Sequence, residues 1–233
     1  MSFDAAWSSV GDIAGWLTEA QARMLYERAA ELEAGARIVE IGSHHGRSTI
    51  ILAYAAPNAG IVAIDPYEEN VPRPQDLETF ERNLARAGVA AQVHHVHATS
   101  SDALKSFDGQ VDLLYIDGAH DLGTALADIS NWGTLVREHG SMFVHDSFSS
   151  IGVTLAEVRA LFFGRRFRYV RRSRTLVEYR RESVHGVARA ANAARQGTAL
   201  PWFARNVLVK VALRAKLRPV ARMLRHHDDV FPY

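Results

Sequence analysis

Ile38-Val39-Glu40-Ile41-Gly42-Ser43-His44-His45-Gly46-Arg47-Ser48-Thr49 decides the fold of this chain. An apolar run closes on an acid, passes a turn holding two glycines, and opens into Ile50-Ile51-Leu52-Ala53-Tyr54-Ala55. Strand, tight turn and helix in that order build a nucleotide-type cofactor site. The glycines let backbone approach a ligand, and the first N–H groups of the helix have no partner inside it. The turn does not carry the G-x-G-x-x-G spacing, which weighs against a nicotinamide dinucleotide. Glu40 ends the first strand, and Asp65 ends the second, Ile61-Val62-Ala63-Ile64-Asp65. A carboxylate at the second position is placed to accept hydrogen bonds from ribose hydroxyls.

Outward from this segment, apolar periodicity predicts strands over 91–96, 111–117 and 141–144, the last entered through a turn at His139-Gly140. Helices are predicted over 18–32 (with a Thr18/Gln21 capping box), from about Ser48, and over 76–87, 101–107, 124–136 and 153–163. Ser100 or Ser101 is the expected cap of the 101–107 helix. Residues 168–170 and 175–179 read as a terminal hairpin. Strand and helix alternate five times, and connections this long force parallel strands with right-handed crossovers. The expected class is α/β, an open three-layer sheet. Beyond Arg181 the character changes to helices over 184–195 and 201–216, with Gly197 between them. The expected division is a cofactor-binding α/β domain over 1–181, with a helical lid over 1–34, and a basic helical extension over 182–233.

The 233 residues include no cysteine, which excludes disulfides and thiolate metal sites. Neither a signal-peptide pattern nor a run of ~18 apolar residues is present, so cytoplasmic residence is the expectation. The formal charge of +1 conceals a segregation. Residues 1–164 hold 10 Lys and Arg against 22 Asp and Glu, whereas 165–225 hold 17 against 2. Such a basic tract suits intersubunit packing first, then an anionic membrane surface, then substrate capture; a homodimer and a peripheral membrane contact are both expectations. Nucleic acid is disfavoured, because an aliphatic stripe accompanies the basic residues and no binding module is visible.

Ile116-Asp117-Gly118-Ala119-His120 and Val144-His145-Asp146 each follow an apolar run. Strand ends in such a sheet converge on one crevice. Two carboxylates brought together there repel unless a cation or a proton joins them, and oxygen ligands suit magnesium or manganese. His145 is a third candidate ligand and would tilt the site toward manganese. Strand alternation turns it away from Asp146 unless the chain bends at that point. His44, His45, His94, His95 and His97 are read as structural or near-cofactor groups. Zinc-protease, P-loop and serine-hydrolase motifs are absent.

These ordered pieces resemble the class I S-adenosylmethionine (SAM) methyltransferases, and most of all the metal-dependent small-molecule O-methyltransferases that include the macrolide-sugar enzymes. The resemblance spans about residues 15–179. It implies a Rossmann-like, mostly parallel seven-stranded sheet of order 3-2-1-4-5-7-6 with an antiparallel last strand. It places Glu40, Gly42 and Gly46, with Ser43 and Ser48 beside them, at the methionine part of SAM. It places Asp65 on the ribose, Thr99 and Ser100 by the adenine, and Asp117 at the cofactor's edge. Asp117, Asp146 and His145 are the implied metal set, magnesium first and manganese second. His120 is the implied general base, and an imidazole with pKa near ~6.5 is matched to that task. The sequence departs from the family's commoner pattern where His44-His45 replace a glycine and where His145 replaces an acid. The implied activity is methyl transfer to a hydroxyl of a small polar acceptor, a sugar, glycoside or oligosaccharide such as a mannoside. A catechol or phenol acceptor, a non-catalytic SAM-binding regulator and a nicotinamide oxidoreductase are the alternatives. Gly15-Trp16-Leu17 and the loop over 67–75 are candidate lids over the site.

Overall fold

Buried apolar runs supply the strands, and amphipathic stretches cover them. In a computed structural model, which describes residues 1–67 and 76–226, the chain runs α1 (Phe3–Ser9), α2 (Glu19–Ala29), β1 (Arg37–Ile41), α3 (Arg47–Ala55), β2 (Gly60–Ile64), α4 (Asp76–Ala87), β3 (Val93–Val96), α5 (Ser100–Ser106) and β4 (Val111–Ile116). It continues α6 (Leu122–Ala127), a π-helical turn (Asp128–Trp132), α7 (Gly133–Leu135), β5 (Val136–Val144), α8 (Ile151–Glu157), a second π turn (Val158–Phe162), β6 (Phe167–Ser173) and β7 (Leu176–Arg181). Three helices close it, α9 (Gly186–Gly197), α10 (Leu200–Arg214) and α11 (Arg218–Met223). The seven strands form one sheet of order β3-β2-β1-β4-β5-β7-β6, with only the β5–β7 and β7–β6 pairs antiparallel. This is the order the resemblance implied.

Alternation sorts the central strands onto two faces. Ile38, Leu113, Tyr115 and Phe143 join α2 and α3 in one core; Val39, Ile41, Leu114, Ile116 and Val144 join Trp132 and Phe148 in the other. A sheet covered on both sides explains why four successive residues of β1, Ile38 to Ile41, are buried rather than every second one. Ala199 is buried in the second core, and Trp202 and Phe203 pack against it, so the start of α10 lies on the sheet's helical cover.

Three local expectations need correction. Thr99, not Ser100 or Ser101, caps α5: its backbone is extended and its Oγ1 accepts from the Asp102 N–H at 3.1 Å. The turn expected at His139-Gly140 is a bulge inside β5, which already starts at Val136. His139 has φ 62°, and the register against β4 slips between Val111 and Leu113. The single helix expected over 124–136 starts two residues earlier and widens into a π turn at Asp128.

Gly42 shows what fixes the sheet's upper edge. Its φ is 88°, and a Cβ there would fall 2.1 Å from the Asp117 carbonyl oxygen. Only glycine lets the ends of β1 and β4 close to this distance.

Candidate active site at the strand ends

A cleft of about 530 Å³ opens over the carboxyl ends of β1, β2 and β4. Its walls are Ile41 and Gly42 after β1, Ile64 to Pro66 after β2, Thr99 to Ser101 at α5, Asp117 to Ala119 after β4, and Thr124 with Asp128 from the following helix. Thus Gly42, Asp65, Thr99, Ser100 and Asp117, drawn from four separate stretches, meet on one cavity. Asp65 also braces the turn. Its Oδ2 accepts from the His44 N–H at 2.9 Å and its Oδ1 from the Tyr67 N–H at 3.1 Å. A carboxylate has lone pairs to spare beyond two such bonds.

The remaining cofactor candidates lie behind the wall. Glu40 has the parity of Ile38, which turns it under α3, where it is fully buried and accepts from the hydroxyls of Ser48 and Thr49. Burial pushes its carboxyl up to about 7 against the pull of those two hydroxyls. Ser43 is buried, and Gly46, at φ 84°, is the N-cap of α3. These residues shape the turn from below.

At the other end of the cleft rim, Asp117, His120 and Asp146 each present one donor atom within 4.8 Å of the others. His120 Nε2 lies 2.8 Å from Asp146 Oδ2. The hydrogen bond to Asp146 holds the His120 imidazole above its ordinary pKa, outweighing the opposite effect of burial. Burial alone would raise Asp146, but the His120 bond and the charges of His145, His120 and Lys210 hold it below the usual carboxylate range. Asp146 Oδ1 is buried with no hydrogen-bond partner. Asp117 Oδ2 accepts from Tyr115 Oη at 2.9 Å.

His145 sits behind this trio. Asp146 has φ 56°, so the bend that alternation required is present. It brings His145 Nδ1 to 3.0 Å from Asp117 Oδ1 and 3.7 Å from Asp146 Oδ1. The ring is almost wholly buried, which would lower its pKa, yet the neighbouring Asp117 and Asp146 charges raise it. His145 is thus positioned to orient Asp117, and it is not among the three residues whose ligand atoms group within 4.8 Å.

The loop carrying His120 is clamped from α8. Ser150 Oγ donates to the His120 carbonyl at 3.2 Å, and a Cβ on Gly152 would fall 2.1 Å from that same oxygen. The turn carrying Asp146 is clamped from α10. Asn206 Nδ2 donates to the Phe148 carbonyl at 3.2 Å, and Lys210 Nζ donates to the Ser149 carbonyl at 3.0 Å. Phe148, like Asp146, is left-handed at φ 58°, a conformation that needs such support.

Several functional groups escaped the sequence reading. Asp128, at the π turn, is 2% exposed, accepts from Ser100 Oγ at 2.5 Å and is pushed up to about 6 by burial. Glu157, fully buried, accepts from Ser147 Oγ at 2.8 Å and is pushed up to about 8 by burial. It lies four residues after Val153 and four before Leu161, so an acid on the apolar face of that helix was the available signal. Asp76 pairs with His45, Oδ1 to Nε2 at 2.8 Å, and groups with His44 beside the cofactor turn. His95 and His97 pack against Tyr67 outside the cleft wall. Trp16 lies 5.5 Å from the His44 ring, so the first lid candidate rests on the cofactor turn. Of the second, only Tyr67 is placed; 68–75 lie outside the described residues.

Residues 39–147, which carry this cleft, match a family described as a methyltransferase domain. Among solved structures, cofactor-bound Rv0187 from MTB is 25% identical, with 77% of this chain and 87% of that one covered at a TM-score of 0.60. An O-methyltransferase from Bacillus cereus in complex with SAH is 15% identical, covering 77% and 89% at 0.58. The O-methyltransferase NovP is 17% identical, covering 72% and 83% at 0.59. The three share the fold with this chain.

Proposed function

We infer that this chain, a SAM-dependent methyltransferase of class I, transfers the methyl group to a hydroxyl of a small polar acceptor beside a divalent cation. One observation carries the reading: a proton acceptor, His120, and two carboxylates, Asp117 and Asp146, converge within 4.8 Å at the rim of the cofactor cleft. The residues fit a divalent ion. Two acidic donors face each other, and Asp146 Oδ1 is buried with no hydrogen bond to neutralise it. Asp117 and Asp146 would hold the ion, with His145 behind or beside them. A magnesium or manganese ion there would acidify and orient the acceptor hydroxyl.

The chain's own residues account for the rest. Gly42, Asp65, Thr99 and Ser100 line the cavity that would hold SAM, with Asp65 toward the ribose and Ser100 toward the adenine. The SAH bound to the Bacillus cereus structure supports that ligand class. His120 takes the hydroxyl proton as the oxygen attacks the methyl carbon in line, and the methyl–sulfur bond breaks to leave S-adenosylhomocysteine (SAH). Holding both reactants in this geometry supplies much of the acceleration. Trp16, which lies against the His44 ring, is the residue we assign to shielding the sulfonium from water. A sugar or glycoside is the acceptor we favour, supported by the resemblance of the Asp117-to-Asp121 and His145-Asp146 pieces to sugar enzymes.

The test is methyl transfer from radiolabelled SAM to a panel of glycosides and catechols, with and without EDTA. Transfer to glycosides that EDTA abolishes is expected. Asp146→Ala should lose metal-dependent turnover and keep SAH affinity within about twofold, because its side chain lies off the cofactor wall. Full turnover in that variant would sink the metal assignment, and transfer only to catechols would replace the acceptor.

A further inference from the structure

α10 has two working faces, and the fold uses one. Toward the sheet, Asn206, Val209 and Ala212 are buried. Away from it, Ala204, Leu208, Val211 and Ala215 recur at helical spacing along one exposed side. Leu208 is 55% and Val211 56% exposed. Leu217 at 51%, Val220 at 42% and Met223 at 83% continue the exposed apolar residues through α11. Scattered exposed leucines need no account; a helical row of them does.

The charge around this row is one-sided. Residues 183–226 hold nine Lys and Arg and no Asp or Glu, and Asp228 with Asp229 leave the whole stretch 183–233 at +7. A twofold contact centred on this row would set the stretch against itself, because side chains near the axis meet their own image. Like charges across it would oppose the apolar gain. Reciprocal docking on the acidic body of a second copy is the protein alternative, and the dimer arm of the test below detects it. An anionic bilayer satisfies both features: apolar side chains enter the acyl boundary while Lys and Arg stay among the headgroups. No described helix is long and apolar enough to cross a membrane, so the geometry is that of a helix lying in the interface.

We propose that the outer face of α10, continued by α11, docks this protein on an anionic lipid surface. The same helix grips the Phe148–Ser149 turn on its inner side, so the docked face lies across α10 from the acceptor end of the site.

Sedimentation of the full chain with vesicles tests this. Phosphatidylcholine vesicles containing phosphatidylglycerol should retain the protein at low salt and release it at high salt, and pure phosphatidylcholine should not retain it. Leu208→Ser with Val211→Ser should weaken retention roughly tenfold or more, since burying the two side chains is the apolar half of the attraction. Lys216→Gln with Arg222→Gln should weaken it comparably, about tenfold, and flatten the salt dependence. Neither pair touches the cleft, so methyl transfer to a soluble acceptor should be unchanged, and circular dichroism should show intact helices. Equal retention on neutral vesicles, or retention indifferent to both pairs, would overturn the proposal. So would a homodimer that Leu208→Ser with Val211→Ser dissociates. Retention seen only after removal of residues 227–233 would assign the row to the chain's own end instead.

Discussion

His120 carries two opposed demands. As a base it must be unprotonated, yet its bond to Asp146 raises its pKa above that of free imidazole. The kcat/KM profile should therefore show an acidic limb, with activity rising as pH increases through it; in the ion-free protein the His120 titration should lie above about 6.5, and a divalent ion on Asp146 should lower it. His120→Gln should erase that limb along with most of the turnover; a limb that survives in the variant would assign it elsewhere. Gly152 tests the support of the same residue. A Cβ there collides with the His120 carbonyl, so Gly152→Ala should displace the loop. A displacement near 1 Å is enough to lower kcat roughly tenfold to a hundredfold. SAH affinity, measured by calorimetry, should hold, because the cofactor wall is elsewhere. At this scale the sequence showed which residues would meet, since Asp117, His120, His145 and Asp146 stand out at strand ends and the fold brings them together. It could not show that Glu40 faces away from the cleft until the parity of β1 against α3 was fixed in space. Nor could it show that the residues gripping the site come from Gly152, Asn206 and Lys210.

Elements were legible where burial is continuous. β1, β2 and β4 are apolar runs ending within a residue of expectation, and α4 matches its predicted bounds. Periodicity fails where the geometry itself is irregular. A bulge at His139, which adds three residues to β5 against β4, and a π turn at Asp128 both break the regular repeat. The π turn has a use: it carries Asp128 to Ser100 at the cleft wall. α10 was readable as a helix but not as a clamp. Asn206→Ala would leave the Phe148 carbonyl without its partner in a buried setting, at a cost of about 1–3 kcal/mol. For a chain of this size that lowers Tm by roughly 2–10 °C. If the clamp matters to the Asp146 turn, kcat should fall more than KM for SAM rises. A pure stability loss with unchanged kcat would make α10 a packing element only.

For the molecule as a whole, buried acids tie stability to pH. Glu157 lies in the interior, with Ser147 and Tyr179 as its partners and a pKa pushed from 4.5 to about 8. The folded state thus holds a proton that the unfolded chain releases above about 4.5. Its contribution to stability is complete below that value and is lost as pH rises toward 8. Glu157→Gln keeps an acceptor oxygen and cannot ionise. Between pH 5 and pH 8.5 the variant should gain on the wild type by roughly 5 °C or more in Tm, read by calorimetry. Parallel melting shifts at both pH values would show that Glu157 is charged in the fold. Charge segregation between the acidic body and the basic end was plain from composition. Which face of α10 the sheet would claim was not, because both of its faces carry apolar residues and only packing chooses between them.

The grip of Asn206 on Phe148 spans 58 residues of chain. A ribosome therefore releases all seven strands before it releases the segment that fastens the Asp146 turn. A chain cut after Arg181 would keep all seven strands and lose the Asn206 and Lys210 bonds that fasten this turn.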